Sequence, residues 1–286
     1  MSVVVGLLAG VVTARFLVVT GNALLHHRAL ARRNFRGWTV PTAGGIVIVL
    51  AVLVVEAGRA VFGALGVGAE PGLTVARSEM LFAAFGFGLL GLLDDVLGGD
   101  DSTDGGIDAQ GFRGHVGALL RGRLTTGLVK LVGGAGVAVV LVAAPGFATG
   151  RRLLVDAVLI ALAANLGNLL DRAPGRVLKG ALVVYVPLAL TVGTDPVGVA
   201  LAPLIGAAIG LFPDDLRERL MLGDTGANVV GAALGLGVVL GTSSTTRTGV
   251  LWTLIALNVA AELVSFSAVI DRVGPLRAFD RLGRRP

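Results

Sequence analysis

LFAAFGFGLLGLLDDVLGG, residues 81–99, is an apolar run that ends in two adjacent aspartates, Asp94 and Asp95. Crossing the hydrocarbon core of a bilayer takes about 20 apolar residues in a helix. Residues 78–97 meet that requirement, so the run predicts a membrane helix with a tandem acid at one end. Gly86, Gly88 and Gly91 spell G-x-G-x-x-G inside it. The dinucleotide reading of that pattern requires a preceding strand and a tight turn, and this context offers neither.

The pattern repeats along the chain. Similar runs lie near residues 2–25, 42–66, 125–145, 153–171, 177–194, 197–213, 224–241 and 249–270. Together they predict an all-α polytopic bundle of about nine spans, with 1–286 as a single integral membrane domain. The composition agrees. Of 286 residues, 54% are apolar and only 15% charged, against roughly 25% charged in soluble domains. Mean hydropathy is +0.85. The 44 glycines suit close helix packing in lipid, with Gly6/Gly10, Gly206/Gly210 and Gly231/Gly235 as small-xxx-small pairs. No cysteine is present, which excludes thiolate catalysis, disulfides and Cys-based zinc sites. Met1 to Leu25 lacks a basic n-region and is expected to be a retained first helix.

The net charge of +5 falls in loops between apolar runs, which argues for membrane orientation and against nucleic acid. Alternate loops on one side, with the tail, hold four, three, three, two and five Lys/Arg residues, seventeen in all. The other side holds Arg77, Arg151, Arg152 and Arg247. The positive side is expected to be cytoplasmic, with the N-terminus outside and the C-terminus inside.

Polar groups rare in membrane helices then fall at that same end. Besides Asp94 and Asp95 these are Asn165, Asn168 and Asp171 in NLGNLLD, Asp214 and Asp215 in LFPDDL, and Asp224 in LGDTGAN. Carboxylates at a membrane edge need a partner, water or a cation. Several converging ones suit magnesium, which binds through one or two carboxylates plus substrate phosphates. Asp224 also fits an N-cap at an anion-friendly helix start. Asp214, Asp215 and the acidic loop of Asp100, Asp101, Asp104 and Asp108 read as caps or solvated loop residues. Asn165 and Asn168, at spacing three with Asp171, could either line a site or hydrogen-bond helices together. Lys130, inside the fourth run, needs an anionic partner, a carboxylate or a lipid phosphate. Arg15 and Arg59 are expected to snorkel or pair within the bundle. His26-His27 and His115 lack the i, i+4 metal spacing.

In order along the chain stand PTAGG (41–45), LLDDVLG (92–98), LVKLVGG (128–134), NLGNLLD (165–171) and LGDTGANVVGAALG (222–235). This series resembles the polyprenyl-phosphate N-acetylhexosamine-1-phosphate transferase superfamily. Its branches include the phospho-N-acetylmuramoyl-pentapeptide transferases and the undecaprenyl-phosphate GlcNAc-1-phosphate transferases. The resemblance implies a magnesium-dependent phosphoglycosyl transferase (glycosyltransferase family 4-like) of cell-wall biogenesis. It implies a multi-pass plasma-membrane enzyme with its active site facing the cytoplasm. There a polyprenyl phosphate attacks the β-phosphate of a UDP-sugar, giving a polyprenyl-pyrophosphoryl sugar and UMP. Carried onto matching positions, Asp94 and Asp95 lie at the lipid phosphate, for deprotonation or metal organisation, and Lys130 contacts a phosphate. Asn165, Asn168 and Asp171 line the nucleotide-sugar site, and Asp224, with Asp94, ligates magnesium. The chain departs from the family pattern at DRAPG (171–175), where DGLDG is common, and no histidine follows His115.

Two other function classes fit the same residues. One is a catalytically weakened relative that binds a lipid carrier or scaffolds envelope-synthesis enzymes. The other is a transporter using intramembrane carboxylates, although its sites would lie near the midplane between repeats. Membrane lipids are expected partners in every case, and the glycine-rich spans would permit a homodimer.

Overall fold

The computed structural model describes residues 2–34, 36–68, 72–98, 125–143 and 150–285. The acidic loop with Asp100, Asp101, Asp104 and Asp108, and Arg113, His115, Arg121 and Arg123, lie outside the described residues.

Each of the nine apolar runs is helical over most of its described length, with 2–25 divided at Gly21 and 249–270 divided at Val264-Ser265. The elements are α1 (Val3–Thr20), the short α2 (Asn22–Leu25), α3 (Ile46–Ala64), α4 (Val75–Leu97), α5 (Thr126–Val142), α6 (Arg151–Leu170), α7 (Arg176–Val192), α8 (Pro196–Leu216), α9 (Gly223–Gly241), α10 (Ser244–Leu263), α11 (Phe266–Arg272) and α12 (Gly274–Arg281). Among the described residues, α1, α3, α4, α6, α8 and α9 are long and apolar enough to cross a membrane. Counting α10 and α11 as one broken span makes seven. The pair bends by 93°, so α11 leaves the direction of α10 almost at a right angle. The two remaining runs, α5 and α7, are 17 residues each. The protein is thus an all-α polytopic membrane bundle.

Helix α9 lies at its centre, with 89% of its apolar window buried against 17% for α1. Lipid supplies no hydrophobic drive for helices to associate, so they must gain van der Waals contact by close approach. The glycines provide it. A Cβ at Gly235 would lie 2.9 Å from Ala163 of α6, and one at Gly231 would press on the same turn. Gly10 of α1 meets Pro203 and Ala207 of α8, while Gly210 of α8 faces Val11 and Ala14. The G-x-G-x-x-G residues also pack helices together. Gly86 faces Val137, Gly88 faces Val49 and Val229, and Gly91 lies on the backbone of Asp224 and Thr225.

Several charges within the spans are paired, as low-dielectric surroundings favour. Glu56 accepts from Arg77 Nε (2.5 Å) and Arg59 Nη1 (2.7 Å), and Asp156 accepts from Arg247 Nη1 (2.8 Å). Arg15 pairs with Asp214, so Arg15 and Arg59 both pair within the bundle. Arg77 is 18 residues before Asp95 on α4, about 27 Å along the helix.

A two-stranded antiparallel hairpin, β1 (Ala31–Arg33) and β2 (Thr39–Pro41), precedes α3 in the register Arg32 to Val40. From it the PTAGG segment runs alongside residues 221–222. Met221 N donates to Pro41 O (2.7 Å), Gly44 N to Met221 O (2.9 Å) and Gly45 N to Leu222 O (2.8 Å). Any side chain at Gly45 would collide with the backbone of Gly226. PTAGG is therefore a backbone clasp on the segment that leads into α9.

At the other end of the chain, α12 is pinned to the start of α7. Arg176 donates through Nε and Nη2 to both oxygens of Asp280 (2.9 and 3.1 Å). Lys179 Nζ donates to the carbonyls of Phe279 (3.2 Å), Asp280 (2.7 Å) and Leu282 (2.8 Å), satisfying the open end of α12. Arg284 Nε then reaches Pro174 O (2.9 Å). Burial alone would raise the Asp280 carboxyl, but the hydrogen bonds and charge of Arg176, with Arg284 and Lys179, hold it below the usual value.

Candidate active site

The tandem acid of α4 meets the start of α9. Asp95 Oδ1 accepts from the backbone N–H of Asp224 (3.0 Å) and Thr42 Oγ1 (3.2 Å). Its Oδ2 accepts from Thr225 N (2.9 Å) and Thr225 Oγ1 (2.6 Å). Gly223, at φ +70°, turns the chain so that these two amides point at the carboxylate. The expectation that Asp224 caps its own helix is corrected here. Leu222 is the N-cap residue, without a side-chain bond, and Asp224 lies in the first turn. The anion over the helix start is Asp95, because any carboxylate that reaches the open amides satisfies them.

Asp224 is thereby free to turn its side chain toward α5. There Lys130 Nζ donates to both Asp224 Oδ2 and Asp94 Oδ2, the latter at 3.3 Å. Of the two partners open to Lys130 from the sequence, carboxylates are the ones found. Three helices thus meet at one ammonium and two carboxylates.

Two clefts flank this junction. The first, about 360 Å³, is lined by Asp95, Asp171, Asp215 and Asp224, with Arg33 and Arg172 among the cations. The second, about 370 Å³, is lined by Asp94, Lys130, Asn165, Asn168 and Asn228, and by apolar Phe87, Leu90, Leu131 and Leu162. The set Asn165, Asn168 and Asp171 is therefore split. Steps of three residues turn about 60° short of a full circle, so the set fans over about 120°. Asp171 also lies past the last helical residue, as the C-cap of α6. Burial, followed by the nearby carboxylates of Asp215, Asp224 and Asp95, pushes the Asp171 carboxyl well above the usual range.

Asp215 is the residue that sequence reasoning set aside. It is buried, and it accepts from Gly175 N (2.9 Å) and Leu222 N (3.1 Å) while lining the first cleft. It ties the DRAPG loop to the start of α9. Asp214 pairs with Arg15 and Arg219, outside both clefts. Asn165 does both things its alternatives offered. It donates to Asn258 Oδ1 of α10 (2.7 Å) and lines the second cleft. Among the described residues only Ala43 (φ 55°) and Glu218 (φ 56°) are non-glycine residues with positive φ, and both lie in segments that border the first cleft. Backbone strain of this kind concentrates at functional sites. Among the described residues, no group of three or more His, Asp or Glu side chains is placed to hold a metal unaided. The Asp94 and Asp224 pair does match the two-carboxylate mode that magnesium completes with substrate phosphates.

The motifs that the sequence shares with one transferase superfamily, PTAGG, LDD, LGDTG and Lys130, are thus in mutual contact. Comparison with known proteins extends that resemblance. Over 202 residues the chain is 30% identical to the phospho-N-acetylmuramoyl-pentapeptide-transferase of Deinococcus radiodurans, an alignment covering 67% of this chain. The chain is related to the polyprenyl-phosphate N-acetylhexosamine-1-phosphate transferase superfamily. It spans 59% of the length of that curated relative. No family model matches the chain. Within the superfamily pattern, the departing DRAPG loop is the segment that Asp215 and Arg284 hold at the mouth of the first cleft.

Proposed function

We propose that this protein transfers a sugar-1-phosphate from a UDP-sugar to a polyprenyl phosphate at the cytoplasmic leaflet, releasing UMP, in cell-envelope glycan synthesis. The observation that carries this reading is the meeting of Asp94 and Asp224, from two helices, on Lys130 between two clefts of different character. In the reaction a phosphate oxygen of the lipid attacks the β-phosphorus of the UDP-sugar. A new P–O–P bond forms, the bond from that phosphorus to the bridging oxygen breaks, and UMP leaves. The first cleft, with Arg33, Arg172 and the Asp171 carboxyl, suits the nucleotide sugar. The second, with Lys130 beside apolar Phe87, Leu90, Leu131 and Leu162, suits the polyprenyl phosphate.

The hydrogen bonding divides the roles of the tandem acid. Asp95 is committed to four donors, so it holds the start of α9 in place. Asp94 has an oxygen on Lys130 and lines the second cleft, so it is the group to take a proton from the attacking phosphate. Lys130 offsets the charge of the carboxylates and of an incoming phosphate. Asp94 and Asp224 would also hold magnesium together with the substrate phosphates. Such an ion, when bound, reduces the repulsion between two anionic reactants.

The test is UMP release by purified protein given polyprenyl phosphate, magnesium and a panel of UDP-sugars, alongside Asp94→Asn and Asp224→Asn variants. Release by the wild type and its loss by at least about 100-fold in both variants is expected. No release with any donor, under conditions that activate a known relative, would refute the proposal. Lipid-carrier binding without transfer is the second reading, motivated by DRAPG at 171–175, where the superfamily commonly has DGLDG, and by the lack of any histidine after His115 in the sequence. Normal cellular function of both variants would establish it instead.

A further inference from the structure

Asn228 lies one turn after Asp224 on α9, four residues along and therefore on nearly the same face. It is 2% exposed, yet its side-chain Nδ2 has no hydrogen-bond partner among the described residues. It lines the second cleft, on the same wall system as Lys130 and Asp94. A buried amide donor without a partner is costly, and native interiors retain few of them. A leucine, with the same branching and the same number of side-chain heavy atoms, would fill that position without leaving a donor unpaired. The position instead holds a donor at the wall of a cavity whose cation is Lys130, whose carboxylates are Asp94 and Glu262, and whose apolar walls include Phe87, Leu90 and Leu131. An oxyanion satisfies donors of this kind, and hydrocarbon satisfies such walls.

We propose that Asn228 is a ligand-binding residue of the second cleft, donating its side-chain amide to an oxygen of the phosphate carried by the polyprenyl lipid. This rests on the transfer reaction proposed above and adds a contact that distinguishes the phosphorylated carrier from its free alcohol. Before the lipid arrives the amide has no partner among the described residues. The lipid phosphate supplies the missing acceptor.

The experiment compares wild type with Asn228→Leu, full chain in detergent micelles, by direct binding of undecaprenyl phosphate, undecaprenol and a UDP-sugar, with melting temperature and UMP release measured on the same samples. The expected result is binding of undecaprenyl phosphate about tenfold weaker in the variant. Binding of undecaprenol and of the UDP-sugar stays unchanged, and the melting temperature is equal or higher. A merely structural asparagine would not weaken binding while leaving or raising stability. Equal affinity of both proteins for undecaprenyl phosphate overturns the inference. So does a loss shared by undecaprenol or confined to the UDP-sugar, and so does failure of the wild type to bind the lipid phosphate. The two claims also fail separately. Wild-type UMP release with Asn228-independent lipid binding removes this inference alone. Asn228-dependent lipid binding without UMP release from any donor removes the transfer reaction alone.

Discussion

Replacing Asp95 by asparagine should weaken the fold as well as the chemistry, whereas the same change at its neighbour Asp94 should affect chemistry alone. The Asp95 carboxylate takes two backbone amides of α9, the Thr225 hydroxyl and the Thr42 hydroxyl, all within 2.6–3.2 Å. A hydrogen bond to a charged acceptor contributes about 1.5–3 kcal/mol. The helix dipole adds about 0.3–1 kcal/mol for an anion at its N-terminus. Asparagine keeps one acceptor oxygen but turns an NH₂ toward the remaining donors, so the losses do not simply add. A net cost of about 2–4 kcal/mol follows. Its expected readout is a fall of roughly 5–10 °C in melting temperature in detergent. Trp38 and Trp252 provide the fluorescence signal. Asp94→Asn, which alters side-chain contacts with Lys130, Asp224 and Thr126 but no backbone amide of α9, should melt close to wild type while losing UMP release. If Asp95→Asn melts within about 1 °C of wild type, the anchoring role is wrong.

Three further outcomes are expected. Gly91→Ala would place a Cβ 2.5 Å from Thr225 Cα and against the Asp224 carbonyl, so it should cost about 1–3 kcal/mol and shift Asp224 away from Lys130, reducing turnover with little change in substrate affinity. Asp171→Asn should raise the melting temperature at neutral pH in the absence of divalent metal while impairing transfer. The folded state binds the Asp171 proton more tightly than the unfolded chain, so the wild type loses stability as pH rises above 3.8 through the folded value, and the variant should show a flatter profile. Asp280→Ala strands the Arg176 guanidinium, 9% exposed, and should cost about 3–5 kcal/mol locally. Hydrogen exchange over residues 274–281 should report it. In wild type the Asp280 contribution is complete above 3.8 and lost only as pH falls through its lower folded value, so the same region should loosen only in strong acid.

Much of this was legible from the chain because lipid constrains sequence so strongly. A run such as residues 81–97 admits few structures besides a membrane helix, and all nine runs became helices. Charged groups in such runs are rare enough that Asp94, Asp95, Lys130 and Asp224 drew notice individually. What periodicity could not convey is which residue on one helix answers an open amide on another. The capping of α9 by Asp95 joins positions 129 residues apart, and nothing local to LGDTG announces it. Asp215 was obscured for a similar reason. An acid after Pro213 at a helix end has the local signature of a solvated cap, and only the return of the 171–175 loop buries it. Asn228 did carry a signal, a lone amide in an otherwise apolar stretch four residues after Asp224, but helix glue explains most such residues equally well. Asn165 does serve as glue, bonded to Asn258 of α10, which no motif marked.

Successive residues on a helix point about 100° apart. The adjacent acids of α4 therefore face different ways, Asp94 into one cleft and Asp95 into the other, with the Lys130–Asp224 contact as the partition between them. Under the proposed transfer reaction, a divider made of these two side chains would let donor and acceptor be resident together. For an enzyme built this way, initial-rate plots at several fixed concentrations of the second substrate should intersect, the mark of a ternary complex. The order in which the two arrive would then be a matter of access from water or from the bilayer.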